Sequence, residues 1–329
     1  MTCSRAVTTS RWCRDSCRAD EHGHTVSVIE PVLAPEVAAA LRDGRPVVAL
    51  ESTIFSHLGL PSPSNAEALE RCLAAVEAKG AVPAVTAVLD GVPRVGIAAE
   101  EHGRILGAGR KAAERDLPVA IAQRWEFGAT TVSAALALAA AAGVSVFATG
   151  GIGGVHREVA ETGDVSADLD AIASYPLVTV CAGAKAFLDL ARTLEHLETA
   201  GVPVLGWRHD DLPAFYTRSS GLRVPHRVES AEEVATVLAA RTRAERGVLL
   251  TVPIPSEDEL DPAVIEAALS GALADAAAEG VTGAAVTPFV LGRIGAATDG
   301  DSVPANLALA ENNAVVAAEV AVAISSRGA

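Results

Sequence analysis

FATGGIGGVHREVAETGDVSADL (residues 147–169), followed after a short gap by VTVCAGAKAFLDL (178–190), is the stretch from which the fold reads. An apolar run over 144–149 opens into a glycine-rich turn, and a second run ending at Cys181 opens into Gly183 and Lys185. Working outward, residues 46–50, 82–89, 119–122, 177–181, 203–205 and 247–252 show the same β-like runs. Between them, 66–79, 131–142, 186–200, 231–243 and 262–279 carry Ala-rich helical patterns, and a last helix is expected over 306–325. Gly80, Gly143, Gly201 and Gly280 sit just past four of these helices, where left-handed stops belong. Strands alternating with helices imply an α/β fold with a largely parallel sheet covered on both faces. No internal repeat or linker divides the chain, so residues 31–329 read as a single large domain.

Composition sets bounds on function. Half of the 329 residues are hydrophobic and 3% are aromatic, enough for a packed core of small aliphatic side chains. The formal net charge of −15 argues against a nucleic acid or an anionic membrane as partner, so a phosphate-bearing ligand needs a local basic pocket. Apolar runs are short or interrupted by Gly, Pro or charge, so no membrane-spanning segment is expected. The arginine- and cysteine-bearing start has no apolar stretch of the signal-peptide kind. Its Cys13, Cys17, His22 and His24 match no zinc spacing. Residues 1–30 are therefore expected to be an unstructured extension. Cys72 and Cys181 lie in apolar patterns and read as buried free thiols, which suits a reducing cytoplasm.

In an open parallel sheet, ligands bind beyond the carboxyl ends of the strands. Glu51 closes the run PVVAL, so it should converge with the 149–156 turn and the 183–185 turn. A carboxylate at a strand end is a candidate general acid or base; the plainer alternative is a capping or ion-paired glutamate. Among 26 basic residues the chain has lysines at 79, 111 and 185 alone. Arginine stays protonated, whereas a desolvated lysine amine can attack a carbonyl carbon. Lys185 sits among small residues whose apolar setting would lower its pKa; alternatively its stem packs and its head reaches solvent. Lys111 follows Gly107, Gly109 and Arg110, which suits a phosphate or simply a solvated basic turn. Lys79 ends a helix and complements its dipole. Asp164 and Asp168, four apart, offer hard oxygen ligands for Mg²⁺ or Mn²⁺, or else turn caps. His156 can hydrogen-bond a base or a sugar. GGIGG lacks the G-x-G-x-x-G spacing of a dinucleotide fingerprint.

Taken in order, ESTIFSHLGLPSPSN (51–65), AVLDGVPRVG (87–96), KAAERDLP (111–118), TTVSA (130–134), the two opening segments, LETAGVPVLGW (197–207), PAFYTRSSG (213–221), PIP (253–255), TPF (287–289) and ANLALAENNA (305–314) resemble the pseudouridine-5′-phosphate glycosidase family. The resemblance covers the chain from Val32 onward. It implies a mixed α/β/α sandwich, a homotrimer and one Mn²⁺ per subunit. It also implies reversible cleavage of pseudouridine 5′-phosphate to uracil and ribose 5-phosphate, with no nucleic-acid or membrane partner. Carried over residue by residue, Lys185 forms an imine with C1′ of the ring-opened ribose and Glu51 moves protons. Asp164 takes the metal, and Lys111, Val132, Ser166, Ala167 and Asp168 contact substrate. Thr149, His156 and Asn306 are expected near the base, with Asn312 and Asn313 close by. Leu58 departs from the family's pattern as an extra residue after Glu51. The chemistry is coherent, since a C–C glycosidic bond has no heteroatom leaving group to protonate and an iminium supplies the electron sink. The competing expectations are a Schiff-base aldolase acting on a sugar phosphate and a non-catalytic nucleotide-binding module.

Overall fold

The computed structural model describes residues 17–19, 25–27, 29–281 and 286–327. The chain order is β1 (Cys17–Ala19), β2 (Thr25–Ser27), β3 (Val32–Leu33), α1 (Pro35–Arg42), β4 (Val47–Leu50), α2 (Ser64–Ala78), β5 (Val82–Leu89) and β6 (Val92–Val95). There follow α3 (His102–Leu106), β7 (Lys111–Ala112), α4 (Leu117–Ala122), β8 (Phe127–Thr130), α5 (Val132–Ala142), β9 (Val146–Ala148), α6 (Val159–Thr162), α7 (Ala167–Ser174) and β10 (Val178–Cys181). The rest is α8 (Leu190–Thr199), β11 (Val204–Trp207), β12 (His226–Val228), α9 (Ala231–Ala239), β13 (Val248–Thr251), α10 (Pro262–Ala278), α11 (Val286–Ala297) and α12 (Ser302–Ser325). Strands β1 and β2 pair antiparallel with each other. The expectation of an unstructured extension over 1–30, and Cys13, His22 and His24 within it, otherwise fall outside the described residues.

The main sheet runs β12-β11-β13-β10-β9-β4-β5-β6-β3, and every pair from β12 to β5 is parallel. Strands β4, β9, β10 and β13 are buried at every position, as near-continuous aliphatic runs are when helices cover both faces. Helices α2, α9 and α12 pack together on one side, and α5 packs with α7 as a separate group. The fold is the mixed, largely parallel sheet with flanking helices that the sequence leads one to expect. Helix α12 has the length and apolarity of a membrane span, but 61% of its most apolar window is buried inside the fold. It is a core helix, lying against β4, β9 and β10.

Two features differ from the expectations. Residues 119–122 belong to helix α4, not to a strand. Pro118 sits in its first turn, and Leu117 and Ala120 form its buried face at a helical spacing. Four apolar residues in a row fit either period, and Pro118 in the first turn decides. The other difference is the antiparallel branch at β5, which pairs with β6 and β8 through its second half. Asp90 and Gly91 both have positive φ (54° and 76°), the geometry of a two-residue hairpin turn. The Asp-Gly pair between Leu89 and Val92 carries that signal. The four expected helix stops all take positive φ.

Candidate active site

Parallel register places three strand ends side by side. Leu50 of β4 pairs with Ala148 of β9, and Ala148 pairs with Val180 of β10. The residues that follow these ends are Glu51, Thr149 and the 182–185 turn, so the expected convergence is found. The two glycine-bearing turns are stitched together: Ile152 N donates to Gly183 O (3.1 Å), Lys185 N to Ile152 O (3.1 Å) and Ala182 N to Gly150 O (3.0 Å).

Glu51 is 7% exposed, and its carboxylate accepts a very short hydrogen bond from the Thr149 hydroxyl. A set of buried hydroxyls anchors its neighbours. Thr86 Oγ1 donates to Leu50 O (3.1 Å), and Thr130 N donates to Ser52 Oγ (2.9 Å). Thr130 Oγ1 lies 2.8 Å from Thr86 Oγ1 and 3.1 Å from Ser52 Oγ. Burial pushes the Glu51 carboxyl above the usual carboxylate range; Lys185, the Thr149 hydroxyl and Lys111 pull it down, and Asp168 pushes it up. Lys111, at the start of β7, is half-buried. Burial and the nearby Lys185 lower its pKa, against the opposing pull of Glu51 and Asp168. Glu51, Lys111, Asp168 and Lys185 therefore form one electrostatic cluster.

Asp168 is 7% exposed, and both its carboxylate oxygens are engaged by backbone. Ser133 N at the start of α5 donates to Oδ1 (3.0 Å), and Gly153 N donates to Oδ2 (2.8 Å). Ser166 caps α7 by accepting from Asp168 N (3.2 Å), with Ala167 as the first helical residue. Val132, buried, begins α5 beside this contact. The sequence reading passed over Ser133, whose role is carried by its backbone N–H.

Asp164 and His156 stand slightly apart. His156 Nε2 is 3.7 Å from Asp164 Oδ2, and both line a cavity of about 190 Å³ with Phe187. Among the described residues no group of three or more His, Cys, Asp or Glu side chains is placed to hold a metal. Of this pair only the Asp164 carboxylate is a hard oxygen donor; the imidazole is a softer nitrogen ligand.

The three asparagines separate cleanly. Asn306 is 6% exposed, its Oδ1 has no hydrogen-bond partner, and it lies against Gly150. Asn313 is fully buried and donates to Thr149 O (2.8 Å) and Gly150 O (3.2 Å), so it supports the turn from beneath. Asn312 donates to Pro253 O (3.3 Å), away from that turn. Leu58 is absorbed in a tight loop, its N–H bonded to Ser56 Oγ (3.2 Å). It lines a cavity of about 310 Å³ with His57, Tyr216, Ser302 and Asn306. Cys72 and Cys181 are buried thiols pushed up to about 12 by burial, and they are inert at neutral pH. A larger cavity, about 560 Å³, touches the site through Ala186 but is lined by none of the cluster residues.

The site thus sets a buried carboxyl, pushed above its usual range, beside two half-buried lysines. Comparison with known proteins places it among relatives. The model of the family described as indigoidine synthase A like protein matches residues 36–323. The chain is 50% identical over 301 residues to a pseudouridine-5′-phosphate glycosidase of Sorangium cellulosum, covering 90% of this chain and 94% of that one. It is 44% identical over 298 residues to a pseudouridine-5′-phosphate glycosidase of Arabidopsis thaliana, covering 89% and 90%. Among solved structures, a prealnumycin C-glycosynthase in complex with ribulose 5-phosphate superposes with a TM-score of 0.84 at 36% identity, covering 91% of this chain and 98% of that one. An indigoidine synthase A-like protein of Thermotoga maritima gives a TM-score of 0.81 at 35% identity, covering 93% and 100%.

Proposed function

The chain belongs to the pseudouridine-5′-phosphate glycosidase family and is an enzyme, and we propose that it cleaves pseudouridine 5′-phosphate reversibly to uracil and ribose 5-phosphate. The observation that carries this reading is the buried Glu51 facing Lys185 and Lys111 at the ends of adjoining parallel strands. Burial raises the Glu51 carboxyl, against the opposing pull of Lys185. In this reading Glu51 is the proton donor and Lys185 the nucleophile.

The sequence of bonds follows from those roles. The ribose C1′–O4′ bond opens with O4′ taking the Glu51 proton, and the Lys185 amine adds at C1′ and gives one of its protons back to Glu51. The C1′–C5 bond then breaks as uracil C5 takes a proton, with Glu51 as its donor, and C1′ is left as the iminium of Lys185. Water hydrolyses the iminium, releasing ribose 5-phosphate and the amine. In this reading Lys111 binds the phosphate or a sugar oxygen, and Asp168, which holds the start of α5 and the Gly153 turn, lies beside the sugar. Val132, Ser166 and Ala167 form the wall beside it. Thr149, His156 and Asn306 surround the side toward the base. A Mn²⁺ bound through Asp164, one per subunit, would neutralise negative charge on the substrate. The reading also includes a homotrimer in the cytoplasm, with no nucleic-acid or membrane partner.

One assay tests the whole. Purified protein with Mn²⁺ should release uracil from pseudouridine 5′-phosphate and leave ketose phosphates uncleaved, and chelation or Asp164→Ala should lower the rate at least about tenfold. Cleavage of a ketose phosphate would point to an aldolase. Binding without turnover would point to a nucleotide-binding module, and indifference to chelator would remove the metal.

A further inference from the structure

We infer that Phe215 is a positioning residue that clamps the turn carrying Lys185, an inference that rests on the Schiff-base role proposed for that lysine. Phe215 has φ = 66°, a left-handed conformation that bulky side chains rarely adopt. Such strain persists only where the surroundings over-determine it. Here they do. The segment 212–222 is closed at its base by Leu212 N to Leu222 O (2.8 Å) and Ser220 N to Leu212 O (2.9 Å). On one side it is tied to the chain beyond β13, through Leu260 N to Tyr216 O (3.1 Å) and Arg218 N to Glu259 Oε1 (2.8 Å). On the other side Phe215 N donates to Ala182 O (3.1 Å).

Two glycines make room for it. A Cβ on Gly151 would lie 2.5 Å from Phe215 Cδ2 and 2.6 Å from Cε2. Gly183 has φ = 86°, and a Cβ there would collide with Pro213 O. Pro213 and the ring of Phe215 thus press directly on the two turns that the Ile152–Gly183 and Lys185–Ile152 hydrogen bonds stitch together. Phe215 is 3% exposed, and its ring meets Tyr216 edge-on at 4.8 Å, so it has nowhere to retreat. The clamp fixes the height of the 182–185 turn relative to Thr149 and Glu51. It touches no reacting atom, and it acts through the backbone that presents Lys185.

The test compares Phe215→Ala, Phe215→Leu, Gly151→Ala and the double variant Gly151→Ala/Phe215→Ala in the full chain. The measurements are steady-state rates, borohydride trapping of ribose 5-phosphate at Lys185, and amide exchange in 182–185. Phe215→Ala and Gly151→Ala should each lower kcat and the trapping rate together by at least about tenfold, with KM changed less than about threefold. Amide exchange at 182–185 should quicken in Phe215→Ala, and Phe215→Leu should recover part of every loss. The double variant should be less impaired than the sum of the single ones, because the added methyl then enters the space left by the ring. Folded Phe215→Ala with wild-type trapping and exchange, or strictly additive single variants, would overturn the clamp. Absence of any adduct at Lys185 in the wild type would instead overturn the Schiff-base reading, and exchange in 182–185 would then decide the clamp alone.

Discussion

The chain keeps charges near its core in two places, and the two are built on opposite terms. Along the rim between α2 and α12, Lys79 Nζ meets Glu319 Oε1 at 2.6 Å and Arg71 meets Glu311 at 3.4 Å, with all four side chains at least 32% exposed. Water shares those charges. At the carboxyl ends of β4, β9 and β10, the carboxyl of Glu51 is buried with Lys185 and Lys111 within electrostatic reach. There the acid is pushed up and Lys111 is pushed down. The same residue types that decorate a helix rim form, at the strand ends, a buried carboxyl beside two half-buried lysines. The contrast shows that position relative to the strand ends, and not residue type, is what separates Lys79 from Lys185.

The sharpest way to break the contrast is to keep the charge and remove the nucleophile. Lys185→Arg preserves a cation in the cluster but cannot form an imine, so turnover should fall roughly 10⁴-fold or more. Lys79→Arg on the rim should leave kcat unchanged. If the two variants behaved alike in a uracil-release assay, the strand-end lysine would have no chemical role.

Glu51 tests the other half of the cluster. Glu51→Gln should reduce kcat by about 10²- to 10⁴-fold, the span typical of a lost proton donor. It should also stabilise the fold, because the native carboxyl carries a cost. A carboxyl whose folded pKa lies above its unfolded one is protonated in both states at low pH and costs nothing there. The cost grows as pH rises through the ordinary glutamate range and levels off above the raised folded value. Thermal melts should therefore find Glu51→Gln more stable than wild type at pH 8, by about 1 kcal/mol, with the gain vanishing near pH 4. Lys185→Ala should raise the Glu51 pKa further, since Lys185 is the strongest of the influences lowering it. A pH–stability curve for Glu51→Gln parallel to wild type would mean that the carboxyl is not raised.

Much of this was legible before any coordinates. The strand ends at Glu51, Thr149 and Lys185 follow from apolar runs that stop at polar or glycine residues, and register alone then brings them together. Asp164 and His156, eight apart in sequence, are joined by the same turn that separates them from the cluster. Other parts had no sequence signal of sufficient strength. Residues 119–122 obey helical and strand periods equally well, so Pro118 in the first turn of α4 decides. Ser133 acts through its backbone N–H, which every non-proline residue possesses. Asn313 did carry a signal, as an amide within an Ala- and Val-rich helix that a buried position must satisfy. Phe215 is invisible as a strained residue, because strain resides in φ and not in composition.

The smallest expected effect is on the rim, and it closes the comparison from the other side. Lys79→Ala removes an ion pair in which the lysine side chain is 40% exposed and the glutamate side chain 32%. Such pairs gain little Coulomb energy in high dielectric and pay side-chain entropy to form, so the loss should be under about 0.5 kcal/mol. Salt should erase it, because the Debye length falls to about 3 Å at 1 M. Glu51→Gln should keep its stability gain at the same ionic strength, since buried charge is poorly screened. Equal salt sensitivity in the two variants would mean that the Glu51 cluster is open to solvent, and the raised Glu51 carboxyl would then lose its physical basis.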